Sequence, residues 1–227
     1  MSIGARLKKL KRQKKIMKLK SKYQKLSSAN RLSSLEVPII AITGGIATGK
    51  STVDEYLKTK GHPLISADAL IKKIYQEATT FEFINRSFPQ VIDTAKIDFK
   101  KLRDLFFHNE DVQKKIEEFL YPLLEIRMND EFIALGKPDY LFYDVPLLFE
   151  KDMAKNVDVT VVVYAPENLQ LERLLKRDSI TPELAKQILS KQWPIEQKKN
   201  LANFVIDNQG SLNETQANIN KVLDELF

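Results

Sequence analysis

Eight consecutive residues, Gly44-Gly45-Ile46-Ala47-Thr48-Gly49-Lys50-Ser51, fit the pattern G-x-x-x-x-G-K-[ST]. A turn of this kind cradles phosphate. Successive backbone N–H groups point at the oxygens, and the N-terminus of a following helix adds partial positive charge. Gly44 and Gly49 sit where a Cβ hinders that close approach. Gly44, Gly45, Ala47, Thr48, Gly49 and Thr52 are then expected to wrap the nucleotide. Lys50 bridges the β- and γ-phosphates of ATP, and the Ser51 hydroxyl is the candidate ligand for Mg²⁺. Hydrolysis and transfer both use such a loop, so it fixes nucleotide and metal but leaves the acceptor open.

Transfer to a hydroxyl asks next for a carboxylate. Asp68 lies 18 residues after Lys50, at the expected carboxyl end of a second strand. In a doubly wound sheet neighbouring strand ends open onto one crevice, so Asp68 is expected to face the γ-phosphate and take the proton of an attacking hydroxyl. The same position also suits a cap for a helix starting near Ala69. Asp144, after Leu141-Phe142-Tyr143, is the second candidate for holding Mg²⁺; its other reading is an aspartate that opens the turn before Pro146. The guanine-reading sequence N-K-x-D is absent, which favours a kinase over a GTPase.

The elements that must position these groups are legible in outline. Val37 to Thr43 is a short apolar, β-branched run, expected to be a buried parallel strand. A helix is expected from about Lys50 to Lys60, then a short strand at Leu64-Ile65-Ser66, then a mostly helical stretch to about Leu135. Further strands are expected at Tyr140–Tyr143, Val157–Tyr164 and Phe204–Ile206. Helices are expected from Pro166, from the Thr181-Pro182-Glu183 start signal, and from Leu212 to the end. Alternation of strand and helix argues an α/β fold, a parallel sheet wrapped by helices.

Charge is divided unevenly. Residues 1–31 hold 12 of the 36 Lys and Arg and no acid, leaving 24 basic against 30 acidic residues beyond. The basic character therefore belongs to a leading segment, residues 1–36, expected to be a flexible extension ahead of one domain, 37–227. Leu7, Leu10, Met17 and Leu26 lie roughly on one stripe at helical spacing among lysines, a pattern open to contact with RNA or an anionic membrane surface. No secretory h-region and no run of ~18 apolar residues occurs, so a cytoplasmic location is expected. With no cysteine and two histidines, a disulfide framework, a Cys nucleophile and a dedicated zinc site are set aside. The oligomeric state is not legible.

Several further segments resemble one family. Thr43-Gly44-Gly45-Ile46, Ala67-Asp68, Val145-Pro146-Leu147-Leu148-Phe149-Glu150, Arg173 with Arg177-Asp178, Gln192-Trp193-Pro194 and Val205-Ile206-Asp207-Asn208 fall in the order and spacing of dephospho-CoA kinases. That resemblance implies a P-loop kinase core, a helical acceptor-binding subdomain over about 69–136 and a lid over about 172–200. It implies phosphorylation of the ribose 3′-hydroxyl of dephospho-CoA by Mg-ATP, the last step in making coenzyme A. Carried over by position, Asp68 is the base and also touches the acceptor, and Pro146, Leu147, Leu148 and Glu150 line the acceptor site. Arg173 and Arg177 neutralise phosphate from the lid, and Asn208 lies near the adenine. For the arginines, the other reading is a solvated helix face; for Trp193, it is packing at the lid hinge.

This chain departs from the family pattern at four places. Ala47 stands where glycine is common, Ser66 where an aspartate usually precedes the base, Tyr121 where histidine precedes proline, and Ile188 where an arginine is frequent. The last two put phosphate affinity and rate in question. Three alternatives therefore stand beside the family reading. They are a kinase of another nucleoside, nucleotide or small metabolite, a nucleotide-binding module tethered to RNA or membrane by residues 1–36, and a family member that binds nucleotide without turnover.

Overall fold

Ile39–Gly44 is an unbroken run of buried residues, and it forms β1, the middle strand of a five-stranded parallel sheet. The computed structural model describes residues 17–227. After β1 the chain runs through α1 (Lys50–Thr59), β2 (Leu64–Ser66), α2 (Ala67–Ile74) and α3 (Ala78–Ser87), then a small antiparallel pair, β3 (Ile92–Asp93) and β4 (Lys96–Ile97). α4 (Phe99–His108), α5 (Glu110–Ala134), β5 (Leu141–Asp144), β6 (Val159–Tyr164) and α6 (Glu167–Asp178) follow. α7 (Pro182–Leu189), α8 (Ile195–Leu201), β7 (Phe204–Asp207) and α9 (Leu212–Leu226) complete it.

The sheet order is β2-β5-β1-β6-β7, every pairing parallel. Side chains alternate between faces, as a period of two requires. Ile39, Ala41, Leu141 and Tyr143 face one layer with Leu70, Met128 and Phe132, while Ile40, Ile42, Phe142 and Val161 face the other with Val53, Leu57 and Ile219. A third apolar cluster, with Ile74, Ile84, Phe88, Leu102, Ile116 and Leu120, holds α2 to α5 together as a helical unit. The β3–β4 hairpin inside that unit and the short helix α8 were not expected from the sequence. Two-residue strands and a seven-residue helix carry too little periodicity to register.

Residues 17–36 do not form a free extension or an α-helix. They make three short 3₁₀ turns on the domain surface, with Leu19 and Leu35 buried. The Asp158 carboxylate explains this departure from the expected helical stripe, because it accepts the backbone N–H groups of Lys25 (2.9 Å) and Leu26 (3.1 Å) that a helix would need. Leu7 and Leu10 of that stripe lie outside the described residues.

Candidate active site

The phosphate loop joins β1 to α1 at the carboxyl edge of the sheet. Gly49 takes a left-handed conformation, φ 89°, and a Cβ placed on it would stand 2.0 Å from Asn208 Nδ2. Glycine is required there both for the dihedral and for the room. Ala47 is also left-handed, φ 58°, which explains why glycine suits that position and what its replacement costs. Thr48 is buried and closes the turn by donating Oγ1 to the Gly45 carbonyl at 2.8 Å.

Groups from distant elements brace this loop. Asn208, at the end of β7, donates Nδ2 to the Thr48 carbonyl at 2.7 Å and accepts Thr215 Oγ1 at 2.6 Å. Both ends of its amide are thereby engaged in holding the loop. Arg173 on α6 donates to the Asn208 carbonyl at 2.8 Å and reaches the Thr48 carbonyl at 3.5 Å. Arg177, one turn further on, is exposed and forks onto its neighbour Asp178 at 2.7 and 2.9 Å. Of the two arginines, the structure places Arg173 against the phosphate loop.

Lys50 pairs with Asp144, whose second oxygen accepts Ser66 Oγ at 3.0 Å. Asp144 is buried and so is Asp54, whose Oδ1 has no partner among the described residues. Burial, and then the negative charge of Asp144, push the Asp54 carboxyl up to about 7. Asp144 and Asp54 thus lie close to one lysine and offer oxygen ligands of the kind a divalent cation takes. No group of three His, Cys, Asp or Glu gathers among the described residues.

Asp68 occupies the first turn of α2 with its side chain exposed, and no hydrogen bond or ion pair engages its carboxylate among the described residues. The helix cap is Ser66, whose Oγ accepts the Ala69 N–H at 3.4 Å. That settles the capping alternative against Asp68. The Ser66 hydroxyl, where the family pattern carries an aspartate, both caps α2 and touches Asp144.

A pocket of about 820 Å³ opens between the helical unit and the sheet, lined in part by Ile71, one turn after Asp68 on α2, and by Tyr143 of β5. Its walls are apolar and aromatic, among them Tyr75, Phe106, Leu124 and Leu147, with Arg103, Lys151 and Lys191 as cations at the lining. Leu147 and Glu150 of the expected acceptor loop line it, as does the exposed Tyr121. Leu148 does not. It is 0% exposed in the core with Phe149 beside it, so it anchors the loop instead of lining the pocket. Pro146 contributes its carbonyl, which accepts Thr43 Oγ1 at 3.1 Å.

Two residues were missed as working groups. Lys198, on α8, is 0% exposed, and its Nζ reaches the Gly44 carbonyl at 3.2 Å, the Pro146 carbonyl at 3.3 Å and Glu150 Oε1 at 2.6 Å. The Ile195/Lys198 spacing of three was the only signal, and a lysine on an apolar stripe reads as solvated. Gln192 accepts the Ile46 N–H at 2.8 Å, linking the segment after α7 to the phosphate loop. Trp193, partly exposed, donates its backbone N–H to the same Glu150 oxygen at 3.1 Å, so this segment is fastened to the loop after β5.

A parallel sheet with a glycine-rich phosphate loop after its central strand, a lysine paired to a carboxylate at the neighbouring strand end, and a helical unit over an apolar pocket define a P-loop kinase. Comparison with known proteins narrows the class. The family model for dephospho-CoA kinase matches residues 38–214, and the chain belongs to that family. It is 38% identical over 193 residues to the dephospho-CoA kinase of Enterococcus faecalis, covering 82% of this chain and 96% of that protein. It is 34% identical to a dephospho-CoA kinase domain-containing protein of Danio rerio, covering 83% and 85%. Among solved structures, the dephospho-CoA kinase from Campylobacter jejuni is 32% identical with a TM-score of 0.60 over 82% of this chain and 96% of that one. A Thermus thermophilus protein is 30% identical with a TM-score of 0.77, over 84% and 98%. Like its family, the chain is an ATP-using kinase, a transferase.

Proposed function

We propose that this protein transfers the γ-phosphoryl group of ATP to the ribose 3′-hydroxyl of dephospho-CoA, giving coenzyme A and ADP. One observation carries the reading. The pocket of about 820 Å³ has apolar and aromatic walls with Arg103, Lys151 and Lys191 at its lining, and Ile71 of α2, the helix that carries Asp68, lines it too, which suits an acceptor combining a diphosphate with a long, weakly polar arm.

In this mechanism the phosphate loop from Gly44 to Thr52 holds the nucleotide through backbone N–H groups and the N-terminus of α1. Lys50 neutralises charge on the β- and γ-phosphates, and Arg173 adds a guanidinium beside the loop. Ser51 and Asp144 would hold Mg²⁺, which when bound offsets the charge of the triphosphate. Asp68 accepts the proton of the 3′-hydroxyl and aims its oxygen in line with the leaving ADP. The new O–P bond forms as the β–γ bridging bond breaks, and the proton ends on Asp68. Leu147 and Glu150 position the acceptor, and closure of the segment around α7 excludes water from the transfer. Arg177, released from Asp178 on closure, is the second cation for the transferring group. Tyr121 and Ile188 leave these groups intact. A cytoplasmic location accords with this reading, and the reaction itself asks for no nucleic-acid or membrane partner.

The test is ADP release from Mg-ATP with dephospho-CoA, beside adenosine, AMP and no acceptor, with Asp68→Asn as control. Release that depends on dephospho-CoA and falls about 10²- to 10⁴-fold in the variant supports both acceptor and base. Release only with another acceptor removes the assignment of substrate.

A further inference from the structure

The match to the family begins at residue 38, yet residues 17–36 are built into this molecule. At one end, the Lys20 N–H donates to the Leu226 carbonyl at 2.9 Å and Lys20 Nζ reaches the carbonyls of Asp224 and Glu225, capping the end of α9. Leu19 enters the core layer on that face, and Tyr23 meets Phe204 edge-on at 5.4 Å. In the middle, Arg31 forks onto the buried Asp158 at 2.7 and 3.0 Å, and Asp158 also accepts the Ile39 N–H at 3.0 Å. Asn156 Nδ2 holds the Asn30 carbonyl at 2.8 Å. Leu35 then enters the core layer on the opposite face of the sheet.

Between the Arg31 anchor and Leu35, the turn Leu32–Ser34 is laid against α5. Ser33 Oγ lies 3.2 Å from Met128 Sδ, and Leu32 packs on the same core layer. Ser33 and Ser34 both take left-handed backbone conformations, φ 52° and 51°. Such conformations persist where the surroundings over-determine them. Leu32 and Ser33 also line the 820 Å³ pocket, in company with Met128, Leu124, Tyr75 and Glu150. The strap is thus fixed on both sides of the one turn that reaches the acceptor space.

We infer that Leu32 and Ser33 form a wall of the acceptor pocket and are specificity-determining residues for the acceptor, contacting the part of it remote from the reacting hydroxyl. This rests on the reading of the pocket as the acceptor site. The remote part of dephospho-CoA is a long chain of amides and methylenes, and an apolar wall contributes to holding it through burial, with no effect on the phosphoryl group itself.

The experiment compares the full chain with Leu32→Ala and with Leu32→Met, measuring KM for dephospho-CoA, KM for ATP, kcat and Tm. Leu32→Ala is expected to raise the KM for dephospho-CoA about tenfold, the effect of losing one buried aliphatic contact. KM for ATP and kcat are expected to stay within about twofold, and Leu32→Met, which conserves volume, is expected to restore most of the affinity. An unchanged KM for dephospho-CoA in Leu32→Ala overturns the inference, and so does a parallel rise in both KM values, since that marks general loosening. Absence of dephospho-CoA-dependent ADP release by the unaltered protein overturns the acceptor reading beneath it and the inference with it.

Discussion

Lys198, fully buried, holds the Glu150 carboxylate at 2.6 Å, and through that contact α8 is fastened to the loop after β5. The same ammonium reaches the carbonyl of Gly44, the first residue of the phosphate loop, at 3.2 Å. A single cation therefore ties together three segments far apart in the chain: the phosphate loop, the loop after β5 and α8. Glu150 Oε2 has no partner among the described residues, so the carboxylate depends on this one lysine and on the Trp193 N–H.

Lys198→Met is expected to lower stability by about 3–5 kcal/mol, because it leaves a largely buried carboxylate without its counter-charge. Urea unfolding measures this. Adding Glu150→Gln to the same chain is expected to recover part of the loss, since the orphaned charge goes with it. Equal losses in the single and double variants would show that the pair itself contributes little.

The two left-handed residues of the phosphate loop are expected to respond in opposite directions. Gly49→Ala forces a Cβ into Asn208 Nδ2 and strains φ, so nucleotide affinity should fall by about 10- to 100-fold. Ala47→Gly relieves a strained φ of 58° and is expected to raise stability by about 1 kcal/mol, or about 2–4 °C in Tm. Titration with a fluorescent nucleotide and thermal melts separate the two effects.

Asp54 should make stability depend on pH in a definite sense. Its folded carboxyl is pushed up to about 7 by burial and by Asp144, above the ordinary value of 3.8. The native state therefore holds a proton that the unfolded chain releases, and stability falls as pH rises from about 4 through about 7. Asp54→Asn removes that slope. The Tm of Asp54→Asn minus that of the unaltered protein should grow over this window and level off above it. A flat difference would mean that Asp54 is ionised throughout.

The Arg31–Asp158 pair is expected to govern whether the strap stays on the domain. Burial raises the Asp158 carboxyl, but Arg31 and the backbone N–H groups of Ile39 and Leu26 outweigh it and hold it below the ordinary value. The pair's contribution is then present at neutral pH and lost as pH falls below about 4. Arg31→Ala should cost about 3–5 kcal/mol at pH 7, because it strands a buried charge. Faster amide exchange at Lys25 and Leu26 in that variant would locate the loss in the strap.

The sequence alone determined the parts whose physics is local. A run of β-branched residues followed by G-x-x-x-x-G-K-[ST] specifies strand, turn and helix start within a few residues. The family follows from short segments in a fixed order, and the fold class from the alternation of strand and helix. Tertiary structure decided what depends on residues distant in sequence. Sheet pairing brings Asp144 to Lys50 and Asn208 to Thr48, and it makes Asn208 a brace whose amide is already engaged. Leu148 shares a loop with Leu147 but turns into the core, because adjacent residues on an irregular loop carry no period that sorts them. Lys198 looked like one more surface lysine, and residues 17–36 looked like a solvated extension. The partners that bury them, Glu150 and Asp158, lie far along the chain, and charge pairing across such distances leaves no trace in local composition.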